Sequence, residues 1–317
     1  MKQLYIFIGL FFIMSFAQIT FALLFKKHKK NNFSLETRFK KDFLVNFGRR
    51  LKVSWTLFFI LIIGFSLGKV GITLLFLLLS FLALREFMSI MHLRASDYWP
   101  MFCAFYIFLP LQYFFVLTDA QFLFYIFIPV YVFLMSPLIS VIGDHDNEMF
   151  FERTSKFQWA QISCIYCLSY APAISSIELR NGQFQSSSLL LFLLLVIFSS
   201  DAFQYVLGNL IGKKKIAPKL SPNKTWEGTV YGILTATFFG TLLYSLTPFK
   251  WWQAAIICFI LCLVGFLGGL VMSGIKRSLN IKDWGDILGA HGGVLDRFDS
   301  FVFTAPLFYH LCKHFYS

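Results

Sequence analysis

The chain has 317 residues, 57% of them hydrophobic and 14% charged, with 28 Lys and Arg against 16 Asp and Glu. A soluble domain carries roughly a quarter charged residues, and here the apolar residues, 42 Phe among them, gather in runs of the roughly 17–25 residues that cross a bilayer as a helix. That excludes a soluble globular protein, and the net charge of +12 follows loop topology and contact with anionic lipid, so nucleic acid is not an expected partner.

Lys2 opens an apolar run that continues to Phe25. The run is longer than a signal-peptide core and shows no small-x-small cleavage site, so a retained membrane helix is expected. Hydropathy predicts about ten spans, at 3–25, 53–68, 70–91, 101–118, 120–142, 158–177, 188–211, 228–247, 252–272 and 301–315. The fold class expected is therefore all-α and polytopic. Gly68-Lys-Val-Gly71 is placed to turn the second and third spans into a hairpin. Three parts are expected: a first helix and basic segment (1–52), a set of membrane helices (53–187) and a C-terminal membrane core (188–317).

The segment from Lys26 to Lys52 holds ten cations, and every second loop after it is basic. These loops carry Arg94; Arg153 and Lys156; Lys213, Lys214, Lys215, Lys219 and Lys224; then Lys276, Arg277, Lys282 and Arg297. They place 22 of the 28 Lys and Arg on one side, which the positive-inside rule makes cytosolic. Residues 26–52 suit an amphipathic helix with Phe33, Leu35, Phe39, Phe43 and Phe47 toward lipid, or an ordinary basic loop. Cys164 and Cys167, like Cys258 and Cys262, lie in apolar runs and read as small buried helix residues.

Two cytosolic loops carry chemistry. In the first, Asp201 lies inside an apolar helix near Tyr205, and Gly208 and Gly212 are spaced for close helix approach. Ser221, Lys224 and Thr225 precede the next helix, where an N-terminus attracts anions. A phosphate cradle and a plain cytosolic turn both fit this pattern. In the second loop, Asp296 and Asp299 are three apart, so on a helix they share a face and reach one cation. Hard oxygen ligands point to magnesium rather than zinc. His291 stands before Gly292 and Gly293, where a lone His more often orients a turn than binds metal.

The pattern Ser273-x-Ile-Lys-Arg-x-x-x-x-Lys-Asp-x-Gly-x-x-Leu-Gly-x-His-Gly-Gly-Val-x-Asp-Arg-Phe-Asp299 resembles the signature of the CDP-diacylglycerol synthases, or phosphatidate cytidylyltransferases. Ser221-Pro-Asn-Lys-Thr-Trp-Glu-Gly228 and the run from Asp201 to Lys213 resemble a second loop of that family, and Arg85-Glu86 is a fainter echo. The C-terminal motifs together cover about the last 120 residues, and Arg85-Glu86 lies before them. Gly269 departs from many bacterial members, which carry an acid there, and Gln204 stands where Ala is common.

The resemblance implies magnesium-dependent transfer of a cytidylyl group from CTP to phosphatidate, with a monovalent cation as a second candidate ion. It implies metal ligands at Asp296, Asp299 and Asp283, and charge neutralisation by Lys276, Arg277, Lys282 and Arg297. Ser221, Lys224, Thr225, Ser273, His291, Gly292, Gly293 and Asp201 would line the substrates. An integral protein of the cell (inner) membrane, its site facing the cytosol, is the expected setting, and a homodimer is compatible with it. Two rivals remain: transfer to another lipid phosphate, isoprenoid or ether-linked, and a transporter using Asp201, Glu86 and Arg85 as intramembrane relays.

Overall fold

The computed structural model describes residues 11, 55, 56, 58–91, 94, 97–143, 148–179, 186–287 and 292–316. The predicted first span beyond residue 11 and the basic segment 26–52 lie outside the described residues, as does His291.

A helical stretch over 58–66 folds back at Leu67 onto helix α1, Gly68–Ile90. Gly68 takes a positive φ of 66°, which costs glycine nothing. A Cβ on Gly71 would strike the Gly64 carbonyl, so the expected hairpin closes backbone to backbone. Helices α2 (Tyr98–Leu117) and α3 (Gln121–Ile142) follow. Each contains a π-helical stretch, Ala104–Phe108 and Phe127–Val132. Pro110 and Pro129 lie beside or within these stretches, where a missing N–H and a ring crowding the preceding turn disturb the regular ladder. Lys69 donates to the Leu117 carbonyl at 3.1 Å and to the Asp119 carboxylate at 2.7 Å, tying the start of α1 to the α2–α3 turn.

Helix α4 runs through Phe150–Ala160, a π-helical stretch Gln161–Cys167, and Leu168–Ser175. Helix α5, Ser186–Ile211, leads into strands β1 (Lys215–Ala217) and β2 (Ser221–Thr225). Then come α6 (Trp226–Leu242), α7 (Trp251–Ser278) and α8 (Leu295–Tyr316). Five helices among the described residues, α1, α2, α3, α5 and α7, are long and apolar enough to cross a bilayer. The predicted spans 158–177, 228–247 and 301–315 fall in α4, α6 and α8; α6 has 17 residues, about 26 Å.

An all-α chain was expected, and the antiparallel pair β1–β2 departs from it. Lys215 faces Thr225 and Ala217 faces Ser221, around a turn in which Leu220 N–H donates to the Ala217 carbonyl at 3.1 Å. Pro218 holds the second turn position, where its fixed φ favours the bend. With lysines on both strands and no apolar alternation, the hairpin carries no period-two signal.

One apolar core joins the helices, with Phe76, Phe87, Tyr113, Phe192, Phe301 and Phe308 among its fully buried side chains. Polar groups inside it are largely bonded: Tyr113 Oη donates to the Phe76 carbonyl at 2.9 Å, and Gln112 Nε2 donates to the Phe124 carbonyl and to Ser169 Oγ, both at 3.1 Å. Such pairing is what a buried polar atom requires.

Candidate active site

The site is assembled where α1 ends and α8 begins, against Asp201 of α5. Glu86, in the last turns of α1, is buried at 3% exposure. Its Oε1 accepts from Val294 N–H at 2.8 Å and its Oε2 from Leu295 N–H at 2.9 Å. Two of the unpaired amides at the start of α8 are thereby satisfied by one carboxylate. A Cβ on Gly285 would come within 3.0 Å of Glu86 Cγ, and one on Gly293 would meet its carboxylate. Those glycines make the space the acid occupies. Next to it, Phe87 stacks on buried Trp284 with ring centroids 4.7 Å apart.

Asp296, in the first turn of α8, is fully engaged. Lys276 Nζ donates to Oδ1 at 2.8 Å, while the N–H groups of Trp284 and Gly293 donate to Oδ2 at 2.9 and 3.0 Å. The ion pair is buried, with side-chain exposures of 11% and 6%. It closes the α7–α8 loop over Gly292, whose φ is +79°.

Asp299, one turn on, faces a different partner. Ser300 Oγ lies 3.2 Å from Asp201 Oδ1 and 3.5 Å from Asp299 Oδ1, donating to one at a time, and Ser300 N–H donates to Asp299 Oδ1 at 2.8 Å. The carboxylates of α5 and α8 thus share one hydroxyl. Neither has a cation within salt-bridge distance among the described residues.

Lys224 of β2 reaches toward this pair. Burial holds its ammonium below the ordinary lysine range, while Asp299 and Asp201 pull the other way. Its Nζ sits 4.9 Å from the Phe266 ring centroid, a cation–π contact. A Cβ on Gly269 would lie 3.0 Å from that Nζ, so the ammonium occupies the space beside the glycine.

The hairpin is held at three points. Thr225 caps α6, its Oγ1 accepting from Gly228 N–H at 3.2 Å. Glu227 accepts from Lys213 N–H at 2.9 Å and Lys214 N–H at 3.1 Å; the Lys213 bond leads in holding its carboxyl below the usual range. Arg277 donates from Nε to the Leu220 carbonyl at 3.2 Å and from Nη1 to the Ile281 carbonyl at 2.9 Å. A Cβ on Gly228 would fall 2.7 Å from Gly208 N, the close approach that the Gly208–Gly212 spacing predicts.

Of the residues singled out by sequence, the fold brings Asp201, Lys224, Asp299, Lys276, Asp296 and Gly293 to one end of the bundle. Asp296 and Asp299 were expected to share one cation; in the structure the oxygens of Asp296 are taken by Lys276 and two backbone amides, and Asp299 faces Asp201. Arg277 serves the hairpin, and Ser273 Oγ donates to the Gly269 carbonyl at 2.7 Å within its own helix. Lys282, Asp283 and Arg297 are exposed, and Ser221 is half-buried. Sequence reasoning assigned no site role to Ser300, Glu227 or Trp284 and gave Glu86 only a relay role in the transporter reading. The available signals were a serine beside Asp299 and an acid near the end of an apolar run.

Among the described residues no three His, Cys, Asp or Glu side chains form a metal-ligand group. The Asp201–Asp299 pair nevertheless suits a hard divalent cation. Magnesium is commonly held by one or two carboxylates, with phosphates and water completing its shell.

Helices of bilayer length, with an acidic pair and a half-buried lysine gathered at one end, define an integral membrane protein. Residues 48–315 match the model of the cytidylyltransferase family, and the chain belongs to that family. It is 35% identical over 243 residues to the uncharacterized protein YnbB of Escherichia coli (strain K12), covering 75% of this chain and 78% of the relative. It is 37% identical over 171 residues to a phosphatidate cytidylyltransferase of Bacillus subtilis (strain 168), covering 53% of this chain and 62% of the relative. A third relative, the phosphatidate cytidylyltransferase of Staphylococcus saprophyticus subsp. saprophyticus, is 40% identical over 146 residues, covering 45% and 56%. The chain thus spans about half to three fifths of the length of the phosphatidate cytidylyltransferases it matches.

Proposed function

We propose that the chain transfers a cytidylyl group from CTP to phosphatidate, giving CDP-diacylglycerol and pyrophosphate. The observation that carries this reading is the Asp201–Asp299 pair bridged by Ser300 and faced by Lys224, in a chain of the cytidylyltransferase family. A phosphate oxygen of phosphatidate attacks the α-phosphorus of CTP, and pyrophosphate leaves. That oxygen is already anionic, so the task is positioning and charge stabilisation, with no strong base required.

Asp299 and Asp201 would hold magnesium, with Asp283 near the Gly292 turn as an outer carboxylate. When bound, such an ion would supply positive charge that offsets the charge of the phosphates. Lys224 supplies a compact, poorly hydrated ammonium to an arriving phosphate, and an anion beside it stabilises the charged form. The Lys276–Asp296 pair keeps the α7–α8 loop in place, and Lys282 and Arg297 add positive charge at the open rim.

The bias of Lys and Arg supports a cytosolic site, where CTP is available, in the cell's inner membrane. A ten-span topology would put both termini on the opposite side. Phosphatidate would enter sideways from lipid. Purified protein in detergent, given labelled CTP and separate lipid phosphates with and without magnesium, tests the reading. Incorporation into phosphatidate, dependent on magnesium, is expected; incorporation into an isoprenoid phosphate alone would replace it.

A further inference from the structure

We infer that Glu86 is a positioning residue for the reaction: from α1, 208 residues away in sequence, its carboxylate sets the first turn of α8 and so aims Asp299 at Asp201. This rests on the reading of Asp201 and Asp299 as the reacting centre.

Four observations converge on α1. Glu86 receives the Val294 and Leu295 amides on separate oxygens, fixing rotation and axial position of the turn that carries Asp296 and, one turn on, Asp299. Gly285 and Gly293 leave no room for a side chain on the faces that meet the acid. Phe87 stacks on Trp284, whose backbone N–H donates to Asp296. Farther along α1, Phe76 packs against Phe298 and Phe301, with centroids 6.1 and 6.0 Å apart. The helix therefore grips α8 at its start, on the following turn and through the α7–α8 loop.

The grip has a chemical consequence. Asp201 and Asp299 come from different helices and share only the Ser300 hydroxyl. Like charges that close separate unless their carriers are held. A helix N-terminus would ordinarily offer its amides to an anion; with two taken by Glu86, α8 presents the Asp299 carboxylate toward the substrates instead.

The test compares full-length wild type with Glu86→Gln and Glu86→Asp. An amide oxygen replaces one acceptor and puts an NH2 against the other amide; the shorter acid keeps the charge but cannot span both bonds. Glu86→Gln is expected to lower kcat about ten- to a hundredfold, the range for removing a group that orients a ligand, with KM for CTP changed less than threefold. Glu86→Asp should recover part of kcat. Hydrogen exchange should rise at residues 294–299 while α5 keeps its protection. Wild-type kcat in both variants would overturn the inference, as would protection lost evenly over the chain with kcat and KM failing together. An inactive wild type would instead count against the cytidylyltransfer reading, while the exchange pattern would still report on the grip.

Discussion

Asp296 and Asp299 are three residues apart and chemically alike, yet they sit in different surroundings. Asp296 has three hydrogen-bond donors and a buried counter-ion, whereas Asp299 has one backbone amide and a shared hydroxyl. Substituting one member of a buried ion pair strands the other charge, at a cost of about 3–5 kcal/mol. Asp296→Asn is therefore expected to lower Tm clearly. Asp299→Asn relieves repulsion with Asp201, so Tm should hold or rise while kcat falls about a hundredfold or more, the scale of losing a group that stabilises transition-state charge. Thermal melts and initial rates on the same preparations check both. The i, i+3 spacing placed both acids on one face correctly, but the donors that divide their roles come from Lys276, Trp284 and Gly293. Spacing carries no information on those partners.

The β1–β2 hairpin owes its position to groups outside itself. Arg277 binds carbonyls at Leu220 and Ile281 with two arms of its fork. Lysine cannot reproduce this. Losing one or two such bonds, each worth about 1 kcal/mol, predicts that Arg277→Lys raises KM for CTP several-fold by loosening the strand that carries Lys224. Glu227 adds a pH dependence. Its folded pKa is depressed, so its hold on the Lys213 and Lys214 amides is complete above the ordinary glutamate range and is lost as pH falls through the lower folded value. Emission from exposed Trp226 should shift across that acidic window, and Glu227→Gln should abolish the shift. At the α5–α6 crossing, a methyl on Gly228 meets Gly208 backbone; Gly228→Ala should destabilise by about 1–3 kcal/mol. That crossing was legible from the Gly208–Gly212 spacing. The hairpin was not, because its strands are short, polar and lysine-rich, and its anchors lie in α6 and α7.

For the molecule as a whole, long apolar runs made the membrane helices readable, and their basic loops predicted a polarity. The structure agrees on the helices α1, α2, α3, α5 and α7. The long-range clasp from Glu86 to α8 was beyond reach: an acid near the end of an apolar run looks the same as a topology marker or a relay residue. Its partners are backbone amides 208 and 209 residues later, and backbone amides are identical at every position. The polarity yields its own expectation. A cysteine placed at exposed Lys282 should react with impermeant maleimide only after cells are opened, while one at Asp119 should react on intact cells; the reverse pattern would invert the proposed topology.

The most direct measurement of the central claim follows the phosphorus atoms of CTP with purified wild type and Asp299→Asn. Transfer to phosphatidate should carry label from the α-phosphorus into lipid and leave γ-label in pyrophosphate. Asp299→Asn, melting at or above the wild-type temperature, should lose that transfer. Lipid labelled from the γ-phosphorus, or α-label appearing equally with Asp299→Asn, would contradict the account.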